Sequence, residues 1–181
     1  MAPGAGSNRD HPGLVALEDR LAPLPVDRMD FPYRKAGRHF PDRAPVLVEA
    51  VRDGVAVMAA DRGVDPDRLV VGGRSMGGRM CSMAVAEGLP AAGLVLVGYP
   101  LHPPKKPENL RVDHFGAIDV PCLFVSGDRD EFGSPDEFDE HLEAINAPVT
   151  VVRLPGKRHD LKGVDEAVCD AVTEWLGGLA T

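Results

Sequence analysis

The sequence predicts an α/β doubly wound sheet, and two observations predict it. Short, nearly unbroken apolar runs recur along the chain, and segments with helical periodicity separate them. The runs do not alternate polar with apolar positions, so both faces of each strand are expected to be covered, as helices cover a parallel sheet. At 181 residues the chain is long enough for one domain with a sizeable core and short for two, so residues 1–181 are read as a single domain.

The elements follow in order. HPGLVALEDRLAP, residues 11–23, reads as a short helix, and LPVDRMDF, residues 24–31, as a strand. FPYRKAGRHFPDRAP carries mixed charge, prolines and His39, and reads as a surface loop near the site. In residues 44–63, Leu47, Val51, Val55 and Met58 recur at helical spacing. RLVVGG (68–73), GLVLVGY (93–99), CLFVSG (122–127) and VTVVRL (149–154) are expected to be buried strands. Residues 134–145 open with Ser134 and Glu137, the spacing of a capping box, and so begin a helix. Residues 164–179 close the chain as an amphipathic helix, with Trp175 and its leucines in the core. Residues 100–119, PLHPPKKPENLRVDHFGAID, are too rich in proline for a regular helix. A loop that long usually serves function or is mobile, and this insert is placed near the site, with His102 and His114 read as solvated loop residues or, less simply, as lining the pocket mouth.

Composition excludes several classes. The net charge is −8 and PPKKP holds the only adjacent lysines, which argues against a nucleic-acid partner. No apolar run approaches the ~20 residues of a membrane span, and MAPGAGSNRD lacks a charged-then-apolar leader. The expected location is the cytoplasm, with no membrane partner. Cys81, Cys122 and Cys169 are odd in number and widely spaced, so they read as reduced, buried and structural. Residues 128–139 resemble a calcium loop at Asp128, Asp130 and Gly133, but Phe132 cannot ligate and Asp139 replaces the closing glutamate. GAGS near the start lacks the Gly-Lys-Ser/Thr of a phosphate-binding loop. No metal or organic cofactor is expected, and the sequence leaves a homo-oligomer open.

The chemistry centres on RLVVGGRSMGGRMCSMAVAEG, residues 68–88. Ser75 stands between Gly73 and Gly77, after a strand and before a helix, as a nucleophile elbow requires. The turn is so tight that side chains two residues either side would collide. A serine hydroxyl is a weak nucleophile and needs a base. In an elbow of this type the partners follow in the order serine, acid, histidine, which leaves His141 and His159. His141 falls within a helical pattern, whereas His159 lies in a glycine-bearing loop after the last strand, so His159 is preferred. The strand ending at Ser126 offers Asp128 and Asp130, and spacing does not separate them. Arg74 and Arg79 flank the serine; they read as partners of nearby acids or, less simply, as a lure for an anionic substrate.

GGRSMGG, FVSGDRDEFGSP and LPGKRHDLKG together resemble the α/β-hydrolase superfamily over nearly the whole chain. They are most similar to small dienelactone-hydrolase-like proteins, whose eukaryotic relatives include a subunit of a histone acetyltransferase complex. The resemblance implies Asp130, three residues after Gly127, as the acid. It makes APGAGSNRDHP the oxyanion loop, with the N–H groups of Ala5 and Met76 as donors. Many relatives have His-Gly where this chain has Pro3-Gly4; a backbone donor is indifferent to that change. The activity implied is cleavage of a small-molecule ester through Ser75, His159 and Asp130. Thioesterase or dienelactone-hydrolase chemistry, or an inactive interaction module on the same fold, are the alternatives. In that fold a strand leads into the oxyanion loop, whereas this sequence begins at the loop. The resemblance places the absent strand between residues 24–31 and 68–73, mid-sheet, where each unpaired buried backbone group costs about 1–3 kcal/mol. The expectation is that the chain starts upstream of Met1, that the sheet closes over the gap, or that a neighbour supplies a strand.

Overall fold

Four strands run parallel and lie side by side in chain order: β1 (Val70–Arg74), β2 (Gly93–Val97), β3 (Cys122–Gly127) and β4 (Val149–Leu154). The structure is a computed structural model that describes residues 1–179. The ladders pair Gly73 with Leu96, Leu96 with Phe124, and Phe124 with Val151. Parallel neighbours need crossovers: α4 (Met76–Ala86) joins β1 to β2 and α5 (Pro135–Leu142) joins β3 to β4, whereas α1 (Pro12–Leu21), α2 (Pro32–Lys35) and α3 (Ala44–Arg62) precede β1 and α6 (Asp165–Leu179) follows β4.

Period-two alternation along the central strands divides the core in two. Leu94, Leu96, Cys122 and Phe124 face α3, α4 and α5, where they meet Val51, Met80 and Phe138. Val95, Val97, Leu123 and Val125 face α1 and α6, where they meet Leu17, Val168 and Val172. Both faces of β2 and β3 are thus covered, which is why those sequences read as unbroken apolar runs. On the first face an aromatic chain runs from Tyr99 to Phe115, Phe124 and Phe138, with ring centroids 5.4–6.1 Å apart and tilted or edge-on.

Local chemistry fixes the element ends. Ser134 and Glu137 form the expected reciprocal cap at the start of α5. Gly63, at φ 62°, closes α3 in the left-handed conformation. His11 accepts the Gly13 N–H through Nδ1 and caps α1.

Three expectations are corrected. Residues 24–31 form no strand. Their neighbour is Met1, whose carbonyl accepts from Met29 N–H and whose amine donates to Asp27 O, too short a partner for a ladder. Residues 149–154 form the sheet edge, so β4 is covered only in part, and its Thr150 and Arg153 are exposed. The segment after Phe31 is not simply a surface loop: Phe31 and Tyr33 are completely buried, and only its later part, with Phe40, stands in solvent. The insert 100–119 is irregular as expected, yet Leu101, Phe115 and Ile118 anchor it in the core. In the place of the mid-sheet strand, Ala2 pairs with Gly73, donating to Gly72 O and accepting from Arg74 N–H at 2.9 Å each. A small apolar pocket between Met1, Met29, Val55 and Val70 lies beside this two-residue bridge. All three cysteines are free and buried, as read from their spacing. No described helix is long and apolar enough to cross a membrane.

Phe124 joins the aromatic chain to the sheet and is 1% exposed. Phe124→Ala is expected to lower stability by about 3–5 kcal/mol, read as a reduced urea midpoint with an unchanged slope.

Candidate active site

The path from β1 into α4 turns at Ser75, which has φ 51° and ψ −121°. A side-chain-bearing residue held there is strained, and such strain persists only where the surroundings enforce it. They do. A Cβ at position 73 would stand 2.6 Å from Ala2 O, and one at position 77 would stand 2.5 Å from Pro3 O. Ser75 N–H donates to Val97 O at 2.8 Å, tying the turn to the end of β2. The hydroxyl therefore projects at the carboxyl ends of the strands and at the N-terminus of α4, where backbone N–H groups favour negative charge.

Ser75 Oγ lies 2.8 Å from His159 Nε2. His159 belongs to the loop between β4 and α6, and its Nδ1 lies 2.9 and 3.1 Å from the two carboxylate oxygens of Asp130. The Asp130 side chain is wholly buried and also accepts from Phe132 N–H at 2.8 Å. Asp128 lies outside this chain and accepts from Gly156 N–H at 2.7 Å. His141 sits in the last turn of α5 and makes no hydrogen bond to Ser75. Of the sequence-selected groups, the structure brings Ser75, His159 and Asp130 together.

The imidazole is held on several sides. Phe132 stacks on it with centroids 3.9 Å apart and planes 29° apart. Gly98, at φ 58°, lies beside the His159 backbone and ring in a backbone conformation that favours glycine. Arg74 donates to the carbonyls of His159 (3.2 Å) and Asp160 (2.6 Å). Burial holds the Arg74 guanidinium below its ordinary pKa, while Asp160 and Asp165 counter that effect. Arg74 is thus a tether for the histidine loop, hydrogen-bonded to main-chain carbonyls rather than to an acid side chain. The Phe132 stack and the Arg74 tether have no periodic signal in the sequence; the only hint is that Phe132 lies two residues after Asp130.

The loop carrying Ala5 packs beside the nucleophile. A Cβ on Gly4 would be 3.5 Å from Ser75 Cβ, and Tyr33 Oη donates to Ala5 O at 2.7 Å. Neither Ala5 N–H nor Met76 N–H finds an acceptor among the described residues.

The insert roofs the first turns of α4. His114 Nε2 is 2.8 Å from Ser82 Oγ. Burial, and then the Arg79 charge, push His114 down to about 4, so its imidazole is neutral near pH 7. His102 is 6% exposed, bonded through Nδ1 to Pro103 O and close to Glu137. Neither histidine is the solvated loop residue that the sequence suggested. The acids of the calcium-like stretch are engaged elsewhere, Asp139 with Arg153 and Asp130 with His159. Burial pushes the Cys81 and Cys122 thiols up to about 12, which makes them poor nucleophiles.

Residues 1–171 match the family described as alpha/beta hydrolase domain. The chain belongs to the α/β-hydrolase family. Solved structures agree on the fold. Dienelactone hydrolase from Anabaena variabilis superposes with a TM-score of 0.78 at 18% identity, over 98% of this chain and 83% of that one. Est1E from Butyrivibrio proteoclasticus gives 0.73 at 17% identity, over 99% and 86%. A hydrolase of the alpha/beta superfamily from Xanthomonas campestris, described as putative, gives 0.71 at 21%, over 98% and 96%. This α/β hydrolase is therefore similar in fold to dienelactone hydrolase, as its three motifs imply.

The hydrolase carries a pH liability in His114. The unfolded imidazole titrates near 6.5, whereas the folded one stays neutral down to about 4. Between those values the unfolded chain takes up a proton that the fold refuses, so stability falls as pH falls through that window. His114→Gln should remove on the order of 1–2 kcal/mol of that acid-side loss, after allowance for part exposure. Urea unfolding of both proteins at pH 7 and pH 4.5 checks this; parallel losses would exclude the His114 imidazole as the cause.

Proposed function

We propose that this hydrolase is a serine esterase, cleaving a carboxylic ester or related acyl bond of a small molecule through an acyl-enzyme. The observation that supports it most is the unbroken chain of 2.8 and 2.9 Å contacts from Ser75 Oγ through His159 to Asp130. His159 Nε2 takes the hydroxyl proton as Ser75 Oγ attacks the carbonyl carbon. The carbonyl oxygen becomes an oxyanion held by Ala5 N–H and Met76 N–H. Collapse of the tetrahedral intermediate expels the alcohol, which receives the proton from His159. Water then enters, gives its proton to His159, attacks the acyl carbon, and releases the acid and the free serine. Asp130 keeps the imidazole in the tautomer that presents an unprotonated Nε2 and stabilises the cation formed at each step. Thioesters react by the same sequence, with a thiol as the leaving group.

A fluorophosphonate probe should label the wild-type protein and not Ser75→Ala. A folded, unlabelled wild type would instead favour an interaction module on a hydrolase fold. Asp130→Asn should lower kcat by about 10³–10⁴ with little change in KM. His159→Gln should lower kcat as severely as Ser75→Ala does, and a folded His159→Gln that keeps wild-type turnover would remove His159 from the role of base.

A further inference from the structure

Ser75, Arg79 and Ser82 fall at positions i, i+4 and i+7 along the start of α4, so they share one helix face. The 100–119 insert lies over that face, because His114 meets Ser82 there. The insert is pinned in place: Arg111 N–H donates to Leu101 O at 2.8 Å, and Tyr99 Oη donates to Arg111 O at 2.7 Å. Arg79 from the helix and Arg111 from the roof are both half-buried neighbours of Tyr99. Burial, and then the Arg79 charge, hold the Arg111 guanidinium below its ordinary value.

Two other arginines near the site, Arg74 and Arg158, have partners. Arg74 donates to two carbonyls, and Arg158 lies 3.6 Å from Glu131. Neither Arg79 nor Arg111 makes a side-chain hydrogen bond or salt bridge to any described residue. Arg79 Nε is fully buried with no acceptor at all. A buried donor left unmatched is uncommon and costly. Two like charges placed together without a carboxylate repel each other as well. An anion with several oxygens corrects both defects, because guanidinium N–H groups are arranged to bind carboxylate or phosphate in pairs.

We propose that Arg79 and Arg111 form an anion subsite, and that the ester cleaved at Ser75 carries a carboxylate or phosphate group. The charged group would sit about one helical turn, roughly 6 Å along the α4 axis, from the nucleophile. The proposal rests on the serine-esterase reading for its substrate and on the arginine pair for its anion. It gives the roof a function: the insert brings the second cation to the helix that carries the first.

Two measurements separate those foundations. The first compares kcat/KM for matched aryl esters that differ only in bearing a methyl ester, a carboxylate or a phosphate. The wild type should prefer one charged ester over the neutral one by about tenfold or more, the scale of a charge-assisted hydrogen bond. Which charged ester is preferred distinguishes carboxylate from phosphate. Arg79→Gln and Arg111→Gln should each collapse that ratio, and Arg79→Lys should restore part of it. A ratio near one in the wild type, or one that survives both glutamine variants, overturns the proposal. The second measurement needs no catalysis. In Ser75→Ala, succinate and inorganic phosphate are titrated while the His114 ring resonances are followed by NMR. A saturable shift with either anion, lost in the Arg79→Gln/Arg111→Gln double variant, supports the subsite even if no ester is cleaved. No saturable shift with either anion overturns it even if esters are cleaved.

Discussion

The structure turns on a shortage of space at one bend. Between β1 and α4 the backbone reverses so tightly that positions 73 and 77 have room for hydrogen alone, because the carbonyls of Ala2 and Pro3 occupy the volume a methyl group would take. The same crowding keeps Ser75 in a conformation that serine disfavours. Ala2 also completes backbone pairing along Gly72–Arg74, so the segment that confines the elbow also satisfies its polar groups. The Ala5 loop continues directly from it, which brings Gly4 against the Ser75 side chain as a by-product of the packing.

Around that bend the sheet acts as a ruler. Parallel strands end at similar heights, so the segments that leave β1, β3 and β4 emerge on one rim. Ser75, Asp130 and His159 come from those three exits and meet although 84 residues separate the serine from the histidine. The burial of Asp130 is tolerated because its oxygens are met by Phe132 N–H and the imidazole. A single edge-to-edge arrangement thus positions the carboxylate, the imidazole and the hydroxyl, while a core packs against the ruler on either side.

Much of this is legible in the residues. The central strands β2 and β3 read clearly because burial on both faces leaves unbroken apolar runs, and α5 because its capping box is a local signature. The elbow is legible because steric exclusion leaves glycines at fixed distances from the serine. The edge position of β4 is not, since VTVVRL is as apolar as a central strand and only its place in the sheet exposes Thr150 and Arg153. LPVDRMDF has the composition of a strand, yet a strand exists only where a partner runs alongside, and Met1 offers a single residue. Choosing Asp130 over Asp128 needed the family likeness; in space the choice reduces to which carboxylate faces His159 and which one faces Gly156. The contributions of Phe132, Arg74 and the unmatched Arg79 depend on long-range contacts that no local pattern encodes.

Arg74 is the residue immediately before Ser75, and its guanidinium grips the main chain of His159 and Asp160 across the rim. The two loops are therefore braced against each other by one side chain. If the elbow shifts, the brace carries the imidazole backbone in the same direction, and the gap between hydroxyl and ring is conserved while both travel. Alignment at this rim is consequently a relative property: thermal displacement of the whole assembly leaves the reactive distance largely unaltered, and only motion that shears the brace opens it.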